Sequence, residues 1–497
     1  MNINVYRFSK CFIYIKLKFF LEVLLLEGFD MLGNRIVIGF VPLHRYPFDE
    51  KWALELKKRF IDVIEKEFKQ IELVYPSEND TKLGLVTDDS DAYRVVELFR
   101  DRGVDGIFIA TLTFGDELAG ALVAEHFRKI PIMVVATKEP QVLPGGFRRS
   151  DSFCGTLSLA SALYRRKIPF IFGGIVFPED EEFKKQFNNF IRTASIVRSF
   201  IGARIGLIGP RPTRFETVTF NEAKMAEKFN QRVVHVTLLE VVEEARKLRD
   251  DDPAVSRVVE EMKKQLDVSR TPQEALYKQA KLEVVLRNIV EREKLSGLGF
   301  RCWTEIQRYY GISPCYVLAR LTDSGVMSSC EVDIYGALTM LIQYTASLGT
   351  TPPHFIDWTI KHPEKPNVFL AWHCGNAPPS LMQPGCILSY HSIMYRDVGV
   401  ERSYGTVEGE LKPGIVTISR LVEYDGEFKM FITRGRIVDV EPRVRGSWTW
   451  VEVEDLDKVY RTLIEEGFVH HASMIHGDYV DAIVNACKLL GIKAIVV

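Results

Sequence analysis

The sequence predicts an α/β chain in which two consecutive parallel-sheet domains precede a mostly antiparallel β domain. Three observations predict it. From residue 35, short apolar runs alternate with helix-periodic segments, the pattern of a parallel sheet covered by helices. A second stretch of the same kind follows from about residue 171. After Thr351 the helical period fades, and β-rich segments punctuated by Gly and Pro take over.

In the first unit RIVIGFVPL is a buried strand, and DEKWALELKKRFIDVIEKEF repeats apolar residues at helical spacing. IELVYP reads as a strand. DDSDAYRVVELFRDRG is a helix with Asp residues at its start and Gly103 at its end. VDGIFIATL, DELAGALVAEHFRK and IPIMVVAT continue as strand, helix, strand, and FCGTLSLASALYRRK closes the unit near residue 170. The second unit opens with the strand IPFIFGGIV and the long helix EDEEFKKQFNNFIRTASIVRSFIG. ARIGLIGPRP is a strand running into a turn, NEAKMAEKFN a helix and QRVVHVTLL a strand. Residues 237–297 are charged and helix-periodic, read as a solvated helix face. EIQRYYG and EVDIYGALTMLIQYTASLG end the unit. NVFLAWHC, GIVTISRLVEY, FKMFITRGRIVDV and WTWVEVE then predict an antiparallel barrel or sandwich, followed by the helix DYVDAIVNACKLLG and the strand IKAIVV. The expected organisation is a dispensable extension over 1–30, two Rossmann-like domains over 31–170 and 171–352, and a β-rich domain over 353–497.

The 497 residues carry 64 Lys+Arg and 66 Asp+Glu, a net charge of −2. That balance excludes a broad basic surface, so no nucleic-acid partner is expected. Residues 11–26, CFIYIKLKFFLEVLLL, are strongly apolar, but Lys16, Lys18 and Glu22 make them a poor membrane span and no small-residue cleavage site follows. Eight dispersed cysteines without a C-x-x-C pair read as reduced thiols of a cytoplasmic protein. No convincing G-x-G-x-x-G fingerprint calls for a redox cofactor.

Seven of the ten histidines lie between residues 354 and 476, which points to a site in the last quarter of the chain. Glu331, Asp357, His373 and one of His470 and His471 would give a mixed carboxylate–imidazole metal site. Such ligands suit Mn²⁺, Co²⁺, Fe²⁺ or Mg²⁺ better than thiolate-seeking metals. Each residue also has a plain structural reading. Glu331 could start a helix, Asp357 could shape a turn, His373 could be a satisfied core histidine and the His pair could lie on the surface.

Taken in order, RCWTEIQRYYGISPC, LTDSGVMSSCEVDIYGALTM, FIDW, FLAWHCGNAP and HHASMIHGD resemble the L-fucose isomerase / L-arabinose isomerase superfamily. Fucose-isomerase-like proteins are the nearest match, over most of residues 31–497. VDGIFIATLTFGDE, FCGTLSLASAL and RIGLIGPRP are weaker echoes. The resemblance implies that Glu331 and Asp357 are metal ligands and the catalytic carboxylates. Arabinose-type members carry Glu at the second position and fucose-type members Asp, so Asp357 is fucose-like. His373 matches a histidine of the arabinose-type members, and His471, rather than His470, aligns with the C-terminal ligand. The resemblance further implies Mn²⁺ dependence and a homo-oligomer, a trimer or a hexamer built from trimers, with active sites at subunit interfaces.

The residue types fit aldose–ketose isomerisation, in which a proton moves between C1 and C2 of an open-chain sugar through an enediolate. One carboxylate acts as base at one carbon and the other as acid at its neighbour. Trp303 and Trp372 could stack on a sugar face or pack in the core. Asn376 could line the pocket or shape its turn. Glu305 and Asp323 could bind hydroxyls or support helices, and His470 is a further substrate-binding candidate. The expected partner is an unphosphorylated sugar, with no membrane. Two alternatives stay open: a non-catalytic sugar-binding or regulatory protein on the same scaffold, and an isomerase or epimerase of a modified, for example sulfonated, sugar.

Overall fold

The structure, a computed structural model, describes residues 35–139 and 142–497. The apolar stretch 11–26 and the expected extension 1–30 lie outside the described residues.

The first sheet contains β1 (Ile36–Leu43), β2 (Ile71–Val74), β3 (Gly106–Thr111), β4 (Ile132–Thr137) and β5 (Ile171–Val176) in the order β2-β1-β3-β4-β5. Every pairing is parallel. β3 and β4 are buried along their whole length, which is why they read as unbroken apolar runs. β5 is a correction: IPFIFGGIV was expected to open the second unit but pairs with β4. Its burial alternates, as befits the sheet edge, and the run cannot itself say which sheet it joins.

The helix Glu181–Phe200 ties the first two units together. Phe183, Phe187 and Phe190 pack into the first core, and Ile196, Val197 and Phe200 into the second. The second sheet has β6 (Arg204–Ile208), β7 (Arg232–Val236), β8 (Gly297–Phe300) and β9 (Met327–Ser329), all parallel, in the order β7-β6-β8-β9. Three helices, Leu238–Lys247, Pro253–Gln265 and Gln273–Glu293, fill the charged stretch between β7 and β8. Their charges are only half the account. Val255, Val258, Val259 and Met262 join Ile356, Phe369 and Val451 of the third unit in one core.

That third unit resolves the choice between barrel and sandwich. β10 (His354–Lys361), β11 (Val368–His373), β14 (Ile415–Tyr424), β15 (Glu427–Val438), β16 (Ser447–Glu452) and β17 (His471–His476) pair antiparallel in the ring β16-β11-β10-β17-β14-β15. β15 then pairs back to β16 over Arg436–Val438, which closes the ring and removes its edges. β12 (Ile387–Tyr390) and β13 (Tyr404–Glu410) extend the sheet beside β16, and β18 (Lys493–Val496) lies parallel to β15.

The helix Ile334–Ala346 lies between the second sheet and the barrel, with all but one residue buried. Gln343 Nε2 donates to the carbonyls of Thr417 (3.1 Å) and Ser473 (3.0 Å) on two barrel strands. The turn that leads into this helix therefore faces the barrel. No helix among the described residues is long and apolar enough to cross a membrane. The described cysteines are all free, and all but Cys154 are buried.

Candidate active site

Glu331 stands in the turn between β9 and the buried helix. Glu331 and Val332 have φ of 51° and 64°, in the left-handed region that a β-branched residue strongly resists. Two consecutive residues held there mark a segment over-determined by its surroundings. Gly299 on β8 makes the turn possible. A Cβ at Gly299 would stand 2.8 Å from Val332 C and 2.9 Å from its Cα, closer than side chains come to backbone. Gly299→Ala will therefore push the Glu331 turn outward. Its expected cost is roughly 1–3 kcal/mol of stability, checked by urea unfolding, together with weaker cation binding, checked by titration. Unchanged values on both would remove this role from Gly299.

Barrel register supplies the other groups. β10 lies between β11 and β17, with Asp357 directly opposite His471 on one side and Trp372 on the other. His373 ends β11 and His471 begins β17. The donor atoms of Glu331, His373 and His471 all lie within 4.8 Å of one another. His471 Nε2 is 3.3 Å from Glu331 Oε2 and 3.7 Å from Asp357 Oδ1, and His373 Nε2 is 3.9 Å from Glu331 Oε2. Glu331, His373 and His471 thus form one group, and Asp357 meets it through His471, in a second group with His470. His470 is half-exposed and stands 4.0 Å from Asp357 Oδ1, on the rim of the cluster.

The electrostatics separate the two carboxyls. Burial alone would raise Glu331, but contact with His471 and the field of His373 hold it down at about 2. Burial, the dominant influence, pushes Asp357 up to about 7 against the attraction of His471, with the charges of Glu331 and Asp333 adding to the rise. Burial drops His373 to about 3. Burial works against a charge on His471 too, yet Asp333, Glu331 and Asp357 lift it to about 10.

Sequence reasoning passed over the pair that holds His471. Asp333 Oδ2 accepts from His471 Nδ1 at 2.7 Å, and both terminal nitrogens of Arg420 donate to the same carboxylate. Asp333 Oδ1 also accepts from Gly336 N at 2.8 Å, capping the buried helix. Arg420 and Asp333 are each 1% exposed. The signal was present: an arginine inside GIVTISRLVEY, an otherwise apolar strand, requires a buried partner. The Asp333 bond leaves His471 Nε2 to face the other ligands.

Glu331 Oε2, Asp357 Oδ1 and His373 Nε2 are buried without a hydrogen-bond partner of good geometry. The orphaned lone pairs of Glu331 and His373 beside His471 Nε2, with the Asp357 oxygen on the other side of His471, fit a divalent cation. The set of carboxylate and imidazole donors suits Mn²⁺, Co²⁺, Fe²⁺ or Mg²⁺. Cys302 flanks it, its thiol 3.3 Å from Glu331 Oε1, with burial pushing that thiol up.

The remaining candidates divide. Trp303 packs between Phe215 and the ring of His391 beside the cluster. Trp372 lies nearly parallel to His373 and donates its indole N–H to the Arg445 carbonyl at 2.6 Å. Asn376 is buried and donates to Cys330 Sγ, with its own oxygen unpartnered. The Glu305 carboxylate is taken up by Arg301 and the Thr304 amide. Asp323 receives the amide and hydroxyl of Ser380, a supporting contact between the second unit and the barrel side.

Comparison with known proteins agrees with this architecture. Residues 39–201 match the family model of the fucose/sulfoquinovose isomerase N-terminal domain, and residues 371–497 match that of the L-fucose isomerase C-terminal domain. His373 and His471 fall inside the second match, whereas Glu331 and Asp357 lie between the two. The chain is 25% identical over 461 residues to the sulfoquinovose isomerase of Priestia aryabhattai, covering 91% of this chain and 97% of the relative. It is 28% identical over 404 residues to that of Alkalicoccus urumqiensis (79% and 86%), and 25% identical over 394 residues to that of Clostridium sp. strain MSTE9 (78% and 85%). With both of its terminal regions matched by family models, the chain belongs to the fucose-isomerase-like family and is a sugar isomerase of the aldose–ketose kind.

Proposed function

We propose that this enzyme interconverts a sulfonated aldose, sulfoquinovose, and the corresponding ketose with the help of a divalent cation, Mn²⁺ being the first choice. The observation that carries the substrate is the match, along 91% of the chain, to a relative named sulfoquinovose isomerase. The one that carries the cation is the group of Glu331, His373 and His471, with the buried, unpartnered Asp357 oxygen 3.7 Å from His471 Nε2.

Glu331, Asp357, His373 and His471 would hold the cation. Once bound, it supplies positive charge beside the sugar oxygens as the C–H proton leaves. The rest is the work of the chain. Glu331, held anionic by its histidine neighbours, removes the proton from one carbon. Asp357, raised toward the neutral range in the cation-free site, donates at the adjacent carbon, the hydroxyl proton passes between the two sugar oxygens, and Glu331 hands its proton back to Asp357 through solvent before the next turnover. The reverse reaction exchanges the roles. His373 and the Asp333–His471 pair fix the geometry. A homo-oligomer, trimer or hexamer, forms part of the proposal through the family resemblance, and light scattering of the purified protein checks it.

The experiment is a panel of sulfoquinovose, L-fucose and L-arabinose, each followed by NMR with Mn²⁺ and after chelation. Sulfoquinovose is expected to turn over at least tenfold faster than the others, and only with cation present. Turnover of L-fucose with none of sulfoquinovose would overturn the substrate, and full activity after exhaustive chelation would overturn the cation.

Cation affinity will also depend on pH. His471 is raised to about 10, so it holds a proton across the neutral range. Occupation of Nε2 must expel that proton, so affinity rises with pH, about tenfold per unit between pH 7 and 9, and flattens above 10. Below 7, protonation of Asp357 steepens the fall. Calorimetric titration in buffers of different ionisation enthalpy should find about one proton released per ion at pH 8. A pH-independent affinity would exclude His471 as a ligand.

A further inference from the structure

His391 follows β12 and is 1% exposed, yet neither the cation cluster nor the proton transfer uses it. Its Nδ1 accepts two backbone N–H groups, from Ile393 and Met394, each at 3.2 Å. Its own amide donates to the Ser403 carbonyl at 2.8 Å. With the Nδ1 lone pair committed to two donors, the ring hydrogen must sit on Nε2. Burial, the dominant influence, lowers the imidazole to about 4, so the ring stays neutral.

The ring is thus a fixed neutral donor with one hydrogen to give. Among the described residues Nε2 has no hydrogen-bond partner. It also stands at the candidate site. Trp303 meets the ring edge-on, at 6.0 Å between centroids and 90° between planes. Trp303 directly follows Cys302, whose thiol lies 3.3 Å from Glu331 Oε1. A donor that no protein group engages is free to give its hydrogen to a ligand oxygen. The accepting atom that a sugar isomerase brings to this place is a substrate oxygen.

We propose that His391 is a substrate-binding residue whose Nε2–H donates to an oxygen of the sugar beside the Glu331 cluster. This rests on the isomerase reading above. A neutral imidazole N–H does not compete for protons with the acid–base pair, and it discriminates by hydrogen bonding. A site that aims a fixed donor at an oxygen disfavours analogues lacking that oxygen, because the donor then loses its acceptor.

The rival role is structural: His391 merely caps the turn at Ile393 and Met394. Two substitutions separate the roles. His391→Asn keeps an acceptor near Nδ1, as Asn does in turns, and removes the distal donor. His391→Gln places an amide N–H near Nε2 and gives up the cap. Circular dichroism and melting report the fold, Mn²⁺ titration reports the cluster, and kcat and KM on the best substrate of the panel report function. We expect His391→Asn to melt like the parent and bind Mn²⁺ equally well, with kcat/KM lower by about 10–100-fold. His391→Gln should recover a good part of that loss. Full activity in His391→Asn, with the deficit in His391→Gln, would overturn the proposal in favour of the cap. If His391→Asn fails to fold, the cap is essential, and His391→Gln at or below one-hundredth of the parent kcat/KM while folded would equally overturn it. If the parent itself neither turns over nor binds any sugar of the panel, the isomerase reading has failed and this proposal falls with it. That result is distinct from a deficit confined to one variant.

Discussion

Glu331→Gln is expected to lower kcat by at least 10³-fold while the protein folds and melts within a few degrees of the parent. The substitution removes a base from the reacting carbon, worth typically 10²–10⁴ in rate, and also removes an anionic oxygen from the cluster. Shape is preserved, and the turn that holds residue 331 depends on Gly299, Phe300 and Cys330 rather than on the carboxylate. Burial of the neutral amide costs less desolvation, which offsets part of the lost attraction to His471 and His373. The two readouts must part company: rate lost, fold kept. Retained turnover would remove Glu331 from the chemistry. Loss of both together would recast it as a structural residue.

Asp333→Ala is the second large effect, and here stability must fall with function. Arg420 would be left 1% exposed with no carboxylate, a buried uncompensated charge costing roughly 3–5 kcal/mol. The helix Ile334–Ala346 would lose its cap at Gly336. His471 would lose the acceptor at Nδ1 that orients Nε2, a change that typically weakens cation binding 10–100-fold. Asp333→Asn separates charge from orientation, since the amide oxygen can still accept from Nδ1 while the charge is gone. It should lower His471 from about 10 toward its ordinary value, so the pH dependence of cation affinity moves to lower pH. Urea unfolding and Mn²⁺ titration at several pH values follow the two parts. Equal Mn²⁺ affinity in parent and Asp333→Ala would dismiss the orienting role.

The same shifts set the acid and alkaline limits of the cation-free protein. His471 is raised on folding, so its contribution is complete below pH 6.5 and is lost as pH climbs through 10. Glu331 is depressed, so its contribution is present above 4.5 and is lost as pH falls toward 2.

How much of this could be read from the residues follows from what kind of constraint fixed each part. The parallel strands β3 and β4 declared themselves, because burial on both faces leaves an unbroken apolar run. β5 was placed in the wrong sheet, since a parallel strand takes its partner from whichever edge the fold leaves open. Barrel and sandwich could not be told apart. The closing contact of Arg436–Val438 with β16 joins strand ends through a pairing with no local pattern. The helix Gln273–Glu293 showed its charges plainly, while the apolar side that meets the barrel is disclosed only by what it touches. At the site, Glu331, Asp357, His373 and His471 were marked by the order of their motifs. Asp333 and Arg420 were not, although Asp333 stands two residues from Glu331. Their importance comes from a pairing across 87 residues that no spacing rule anticipates. His391 hid for the opposite reason, because its local bonds make it look like a turn residue.

One divalent cation, held by Glu331, Asp357, His373 and His471 between the second sheet and the barrel, is what the proposed chemistry requires. The most direct measurement is diffraction from crystals grown with Mn²⁺, recorded on both sides of the manganese absorption edge. A single anomalous peak at about 2.0–2.4 Å from one donor atom of each of the four residues is the expected result. A peak elsewhere, or none at saturating Mn²⁺, would contradict the account.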